Sequence, residues 1–497
     1  MTQSYVLGID QGGSGSRAAV LDDAGQVVGY GYRPVGRLYP QPGWVEQDPA
    51  AIAESVHGAM TDALAQAGCA ASEIAGCGIT SQRDTVFAWD TETGQPIGSA
   101  ITWQDLRTVP LVAETNAWPL AHERRERLGQ FPGAYCSAMH MAWRMRHDEA
   151  FRRAADAGRL RCSLSAGWIV QALGMPRDHA LDYSLMQGMT VLDFHRKRLW
   201  DEWIALLGLP RAALPRPTPT LHHFGDLAIA DARGGRAEVP VLAMISDQQA
   251  ALFGYDCRTP GQAACTHGTA SFVNVAAGTT APRAGRTKIY LAWELDGVAH
   301  YSLEADTTVT GAVIRWMQEQ MGWIARPTDL GALALSVPDS AGVVFVPAFT
   351  GLGVPYEDRT ARGTLLGMTL DTTPAHVARA FLDAIGYQVY DIVTAIAEET
   401  DLRIDRLHVG GGVSASDAAC QIQADVLGIP VVRAKNTETS VRAAALLAGH
   451  GAGVWPSVAG LPPLPGPATI FDPRPSAARA DGIAAWHRAL ERARQWA

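Results

Sequence analysis

In VLGIDQGGSGSRAAVL, residues 6–21, a short apolar strand runs into Asp10 and then into Gly12, Gly13 and Gly15. Glycines after a strand let a ligand lie close to the backbone, and phosphate is the usual occupant of such turns. Two known phosphate loops fail the test here. The Walker pattern needs Lys and then Ser or Thr after its second glycine, and the one basic residue is Arg17. The dinucleotide fingerprint needs glycines spaced one and then two residues apart at the start of a helix. Here the glycines lead instead into an apolar run at 18–21, turn residues at 22–25 and an extended run from 26. They therefore belong to a hairpin, which by itself is equally a plain Gly-rich turn.

Three further groups carry chemistry. Ser81, Gln82, Arg83 and Asp84 come directly after the apolar run 74–80, which reads as a buried strand. In open α/β sheets ligands bind beyond the carboxyl ends of strands, so this cluster is a binding-site candidate. In VPVLAMISDQQAALFG, residues 239–254, a second strand ends in Asp247; GQAACTHGTASFVNVAAG, residues 261–278, then repeats the strand, turn, strand pattern with Gly268, Thr269 and Ser271 at its bend. The third group is Gly410, Gly411 and Gly412, between a strand and a helix in LHVGGGVSASDAACQIQADVLGIPVV, residues 407–432. Two half-molecules, each with a glycine- and hydroxyl-lined turn, would grip one polyphosphate between them.

The elements that position these groups are legible in outline. Asp48 as N-cap, Pro49 in the first turn, Ile52, Val56 and Met60 on one face and Gly68 as stop predict a helix between the first hairpin and the 74–80 strand. The stretch from about Pro210 to Pro240, rich in Pro, Gly and charge, reads as a connection between two halves. At 497 residues the chain exceeds one core, and two domains are expected, 1–250 and 251–497. With 41 basic and 50 acidic residues it is mildly acidic, which argues against nucleic acid as a partner. Residues 1–9 lack the pattern of a signal peptide and no apolar stretch is of membrane-spanning length, so a soluble, cytoplasmic protein is expected. Its seven cysteines include no CxxC pair and read as small core residues; no histidine or carboxylate spacing suggests a protein-held metal cage.

These residues resemble the FGGY carbohydrate kinases of the actin-like ATPase superfamily, and within them the glycerol kinases. The likeness runs through LGIDQGGSGSR, YPQPGWVEQDP, GITSQRDT, TWQDLRT, DQQAALFG, HGTASF, VPAFTGLGVPY, ARGTLLG, the triple glycine and TSVRAAALLAG, which spans nearly the whole chain. It implies an α/β fold of two ribonuclease-H-like domains flanking a catalytic cleft, in which ATP with magnesium meets a small polyol. On that resemblance Asp10 stands near the magnesium, with Gly12, Ser14 and Arg17 around it; Gly268 and Thr269 face the terminal phosphate, and Gly311, Gly411, Gly412 and Asp417 lie on the nucleotide side. The acceptor pocket falls on Arg83, Asp84, Trp103, Tyr135, Asp247, Gln248 and Phe272. A homodimer or homotetramer is expected.

The chemistry of that set is coherent without the family. A small polyol needs donors and acceptors for its hydroxyls and an apolar cover for its carbon edge; Trp103 and Phe272, each a core residue if taken singly, supply the cover. Phosphoryl transfer asks mainly for positioning and electrostatics, with a carboxylate to orient the hydroxyl and take its proton. Asp247 is the residue expected to do so. Several positions depart from the resemblance: Gly13 replaces Thr, His140 replaces Lys, Leu106 replaces Arg and Asp417 replaces Asn. Asp84 stands where glycerol kinases carry Glu. Glycerol is the expected acceptor, against a larger polyol or sugar such as erythritol, xylitol or xylulose; a non-kinase actin-like ATPase and a sugar-sensing regulator are the rivals from other classes.

Overall fold

The computed structural model describes residues 4–496 apart from 232, 284, 436 and 437. Two seven-stranded sheets form its frame. In the first, β1 (Tyr5–Gly12), β2 (Gly15–Leu21) and β3 (Val27–Pro34) run antiparallel, and β1 continues in parallel to β4 (Ile74–Ser81). Beyond β4 come the parallel β7 (Arg236–Ser246), then β6 (Leu221–Ala230) and the short β5 (Gly174–Pro176), both antiparallel to their neighbours. The second sheet has β8 (Ala263–His267) antiparallel to β9 (Ser271–Gly278), and β8 parallel to β12 (Leu407–Gly410) and onward to β13 (Val431–Arg433). The strands β10 (Lys288–Leu295) and β11 (Val298–Asp306) extend it past β9, with β11 inside and β10 outermost; β14 (Thr469–Phe471) closes the other edge. Each half thus opens with a glycine-turn hairpin whose first strand sits beside a parallel strand.

The helix α1 (Pro49–Ala67) forms as its sequence signals require: the Asp48 carboxylate accepts from Ala50 N at 2.9 Å, and Gly68 takes φ 68° to end it. Its face of Ile52, Val56, Ala59, Met60 and Ala63 is fully buried, each larger side chain contributing about 1.5–3 kcal/mol. Gly29 and Gly31 let β3 approach so closely that an added Cβ would stand 2.1 Å from the Ala63 and Ala59 carbonyl oxygens.

The other face of the first sheet is covered from far along the chain. The helix α2 (Thr439–Gly451) lies against β1 and β4, where Gly8 and Gly78 leave no room for a side chain beside the Val441 and Ala444 carbonyls. Residues 210–240 differ from the connection expected of them. About half of that stretch is β6 and the start of β7, a hairpin of the first sheet in which Leu227 and Ile229 are buried while Ala228 between them is exposed. All seven cysteines are buried and free.

Candidate active site

The two strand ends flagged in the sequence converge. Ser81 closes β4, and Arg83 and Asp84 just beyond it turn inward, Asp84 at φ 63°, a conformation that a non-glycine residue adopts at some cost. Asp247 begins the helix α3 (Asp247–Gly254) directly after β7, and β7 runs parallel to β4 with Ser246 paired to Ser81. That register brings Arg83 Nε to 3.7 Å from Asp247 Oδ1. Asp247 Oδ1 also accepts from the Gln248 backbone N at 2.8 Å.

The rest of the pocket comes from the second sheet. Directly opposed residues of antiparallel strands share a face, and the register pairs Phe272 with Asp306, Asn274 with Glu304, and Glu304 with Lys288. One face of β9, β10 and β11 therefore presents Phe272, Asn274, Lys288, Tyr290, Glu304 and Asp306. The fully buried Glu304 receives Arg83 Nη2 at 2.9 Å, and the Arg83 guanidinium lies 4.4 Å from the centre of the Tyr290 ring. Lys288 Nζ donates to Asp306 Oδ1 at 2.9 Å and stands 5.1 Å from the Tyr135 ring centre. Gln248 Oε1 accepts from Asn274 Nδ2 at 3.4 Å. Trp103 lies beside the first hairpin, its Nε1 3.7 Å from where a Cβ on Gly13 would be.

The site is electrostatically loaded. Burial pushes the Asp247 carboxyl up to about 6, with Arg83 opposing and Glu304 adding to the rise. Asp84 is pushed up to about 7 by burial, held back by Arg83 and Lys288. Asp10, at the end of β1, is raised to about 7 by burial, with Arg17 opposing and the charges of Asp247 and Glu438 adding. Asp84 Oδ1 and Arg83 Nη1 are buried with no hydrogen-bond partner among the described residues, which is costly unless a ligand supplies one.

The second hairpin is a junction. The helix α4 (Gly311–Glu319) starts against it: Gly311 N donates to Gly268 O at 3.0 Å and Thr310 N to Thr269 O at 2.8 Å. Gly411, at φ 85°, packs so that an added Cβ would meet His267 O at 2.4 Å. Gly268, Thr269, Gly311 and Gly411 are thus brought together, with Gly412 exposed beside them. Asp417 opens the helix α5 (Asp417–Leu427) and its exposed carboxylate pairs with Arg433 at 2.7 Å. In the first hairpin, Gly13 and Ser14 form the bend between the paired Gly12 and Gly15, and Arg17 stands 3.9 Å from Asp10 and 3.0 Å from Glu438.

Comparison with known proteins decides the class. The "FGGY family of carbohydrate kinases, N-terminal domain" matches residues 5–254, and its "C-terminal domain" residues 263–452. The chain belongs to the FGGY carbohydrate kinases. Among this FGGY kinase's relatives, a glycerol kinase of Symbiobacterium thermophilum is 40% identical over 100% of both chains. Another, of Aromatoleum aromaticum, is 41% identical over 99% of each. Its fold matches Plasmodium falciparum glycerol kinase with ADP at TM-score 0.89, with 23% identity, covering 99% of this chain and 98% of that one. A xylulose kinase from Rhodospirillum rubrum matches at TM-score 0.83, with 24% identity over 98% of each. The two-domain α/β architecture of this FGGY kinase is therefore the expected one.

Sequence reasoning missed Lys288, Tyr290, Asn274, Glu304 and Asp306. Their signal was alternation: Lys288 and Tyr290 in KIY, Phe272 and Asn274 in FVN, and Ser302, Glu304 and Asp306 in SLEAD fall at every second position. The close fit at Gly411 gives a direct test. Gly411→Ala should raise the KM for ATP about tenfold, since strain of about 1–3 kcal/mol falls on the hairpin junction, while the polyol KM at saturating ATP stays near normal. An unchanged ATP KM would remove this glycine from the nucleotide site.

Proposed function

We propose that this FGGY kinase transfers the terminal phosphoryl group of ATP to a terminal hydroxyl of glycerol, giving glycerol 3-phosphate, with Asp247 as general base. The observation that carries the reading is the cluster of buried Arg83, Asp84 and Glu304 with half-buried Asp247, charged, assembled from both halves and holding unpartnered polar atoms. A polyol matches it: its hydroxyls donate to Asp84 and Asp247 and accept from Arg83, while Trp103, Tyr135 and Phe272 cover its carbons and Gln248 adds a further polar contact. Full-length relatives named glycerol kinase support the choice of acceptor.

Magnesium fits the first hairpin. The Asp10 carboxyl is raised by burial beside two other acidic groups, which is the arrangement a bound cation relieves. Among the described residues no cluster of three His, Cys, Asp or Glu side chains could hold a metal unaided, so the ion would share its ligands with ATP. When bound, it would neutralise charge on the polyphosphate, with Asp10 holding it. Gly12, Ser14 and Arg17 of one hairpin and Gly268, Thr269 and Gly311 of the other then position the chain of phosphates, with Gly411, Gly412 and Asp417 on the adenosine side. The Asp247 carboxylate takes the hydroxyl proton as the oxygen–phosphorus bond forms. Closure of the halves, 1–250 and 251–497, excludes water from the phosphoryl group.

Release of ADP measured with glycerol, erythritol, xylitol and xylulose tests the reading. Glycerol should have the highest kcat/KM; a tenfold preference for a four-carbon polyol would overturn the acceptor while leaving the kinase. ATP and glycerol should also bind with positive coupling by calorimetry, because both favour the closed state. Equal affinities with and without the other ligand would show that no closure links them.

The raised carboxyl groups set the pH dependence. A base works only when deprotonated, so kcat/KM should rise with pH through about 6, the value of Asp247, and fall about tenfold per unit below it. Asp84, raised to about 7, steepens the loss on the acid side. A profile flat between pH 5 and 8 would contradict the assignment.

A further inference from the structure

Lys288 has a place in this site that the transfer chemistry does not explain. Its ammonium faces two members of the acceptor pocket, lying over the Tyr135 ring and acting by its charge on Asp84, and its partner Asp306 is directly opposite Phe272 across the β9–β11 ladder. An ammonium has three protons to give, and Asp306 takes one at 2.9 Å. Beside it, the Asp84 Oδ1 atom is buried without a partner among the described residues. A lysine with about four-fifths of its side chain covered carries a desolvation cost that a Met or Leu of similar length would not, so packing alone does not account for it.

The surrounding charges restrict what can lie there. Asp84, Asp247, Glu304 and Asp306 face Arg83 and Lys288, an acidic excess that disfavours a carboxylate or phosphate on the acceptor. A hydroxyl suits both sides, since it accepts from the ammonium and donates to the carboxylate.

We propose that Lys288, held by Asp306, is a specificity-determining residue that donates a hydrogen bond to the acceptor hydroxyl farthest from the one phosphorylated. The far end of a neutral polyol then lies between the Lys288 ammonium and the Asp84 carboxylate. The second half of the chain thereby reads the length and hydroxylation of the acceptor, while Arg83 and Asp247 hold its reacting end. This inference rests on the polyol-kinase reading.

The test compares glycerol with propane-1,2-diol, which lacks one terminal hydroxyl, in the native chain and in Lys288→Met at saturating ATP. The native chain should prefer glycerol by at least tenfold in kcat/KM, because a site built on hydrogen bonds rejects a ligand that leaves them unmade. Lys288→Met should lose about tenfold to a hundredfold on glycerol, the range for a charged hydrogen bond, and less than about threefold on the diol by the same argument, with the KM for ATP unchanged. Equal losses on both acceptors would make Lys288 structural and overturn the inference. Should Lys288→Met fail to fold, the native ratio decides: a preference below about threefold overturns it as well. Failure of the underlying reading looks different, since a native chain that turns over none of glycerol, erythritol or xylitol is no polyol kinase and the inference falls with it.

Discussion

Asp247→Asn is expected to lower kcat by about a hundredfold to ten-thousandfold, the contribution typical of a general base, while leaving the fold and both KM values within a few-fold. The amide is nearly isosteric with the carboxylate, and its oxygen can still accept from the Gln248 backbone N, which lies 2.8 Å from Oδ1 in the native chain. Arg83 keeps its principal partner, Glu304, at 2.9 Å. The capacity to take a proton is lost. Because the residue no longer titrates, the limb of the pH profile near 6 should disappear with it. The missing charge acts at a distance too: Asp247 raises the Asp10 carboxyl, so Asp10 should ionise at lower pH in the variant. Single-turnover kinetics from pH 5 to 8, with calorimetry for both ligands, separates these effects. A variant that binds normally and turns over at more than a tenth of the native rate would remove Asp247 from the role.

How much of this site the sequence reveals depends on how local its signals are. Each hairpin is a strand, a glycine turn and a strand within about twenty residues, and α1 carries its own cap, face and stop; such features survive reading in one dimension. Asp84 and Asp247 were legible because each terminates an apolar run, where a parallel sheet places its ligands. Lys288, Glu304 and Asp306 were not, since each sits mid-strand or at a strand end with no turn chemistry of its own. Only the pairing of β9, β10 and β11 decides which alternate set faces the pocket, and pairing is a long-range fact. The packing of α2 on the first sheet is hidden for the opposite reason. Its run of Ala and Leu is apolar nearly all round, so periodicity indicates burial without indicating against what. The 210–240 stretch misled because Pro and Gly mark a hairpin turn as readily as a linker.

The residue with the second-largest expected effect is one of those hidden ones. Glu304 is wholly buried on β11, and its Arg83 partner comes from the loop after β4, so this ion pair joins the two halves across the acceptor pocket. Removing one member of a buried pair leaves the other charge uncompensated, at about 3–5 kcal/mol. In Glu304→Ala the Asp247 carboxylate, 3.7 Å from Arg83 Nε, is the nearest remaining counter-charge. Arg83 should turn toward it, with opposite effects on the stability of the fold and on the acidity of the base. Stability falls, read as a lower melting temperature and a lower denaturant midpoint. The Asp247 carboxyl, which Glu304 holds up, should ionise at lower pH once that negative charge is gone and Arg83 attracts it more strongly, so the acid limb of kcat/KM moves below about 6. The rate itself should drop, because a base that gives up its proton more readily accepts one less readily, and because Arg83 no longer points at the acceptor. Glu304→Gln discriminates charge from shape: it keeps an oxygen that can accept from Arg83, so it should recover part of the stability while reproducing the shifted pH limb. An acid limb that stays at the native pH in both variants would mean that Glu304 braces the two halves without tuning the base.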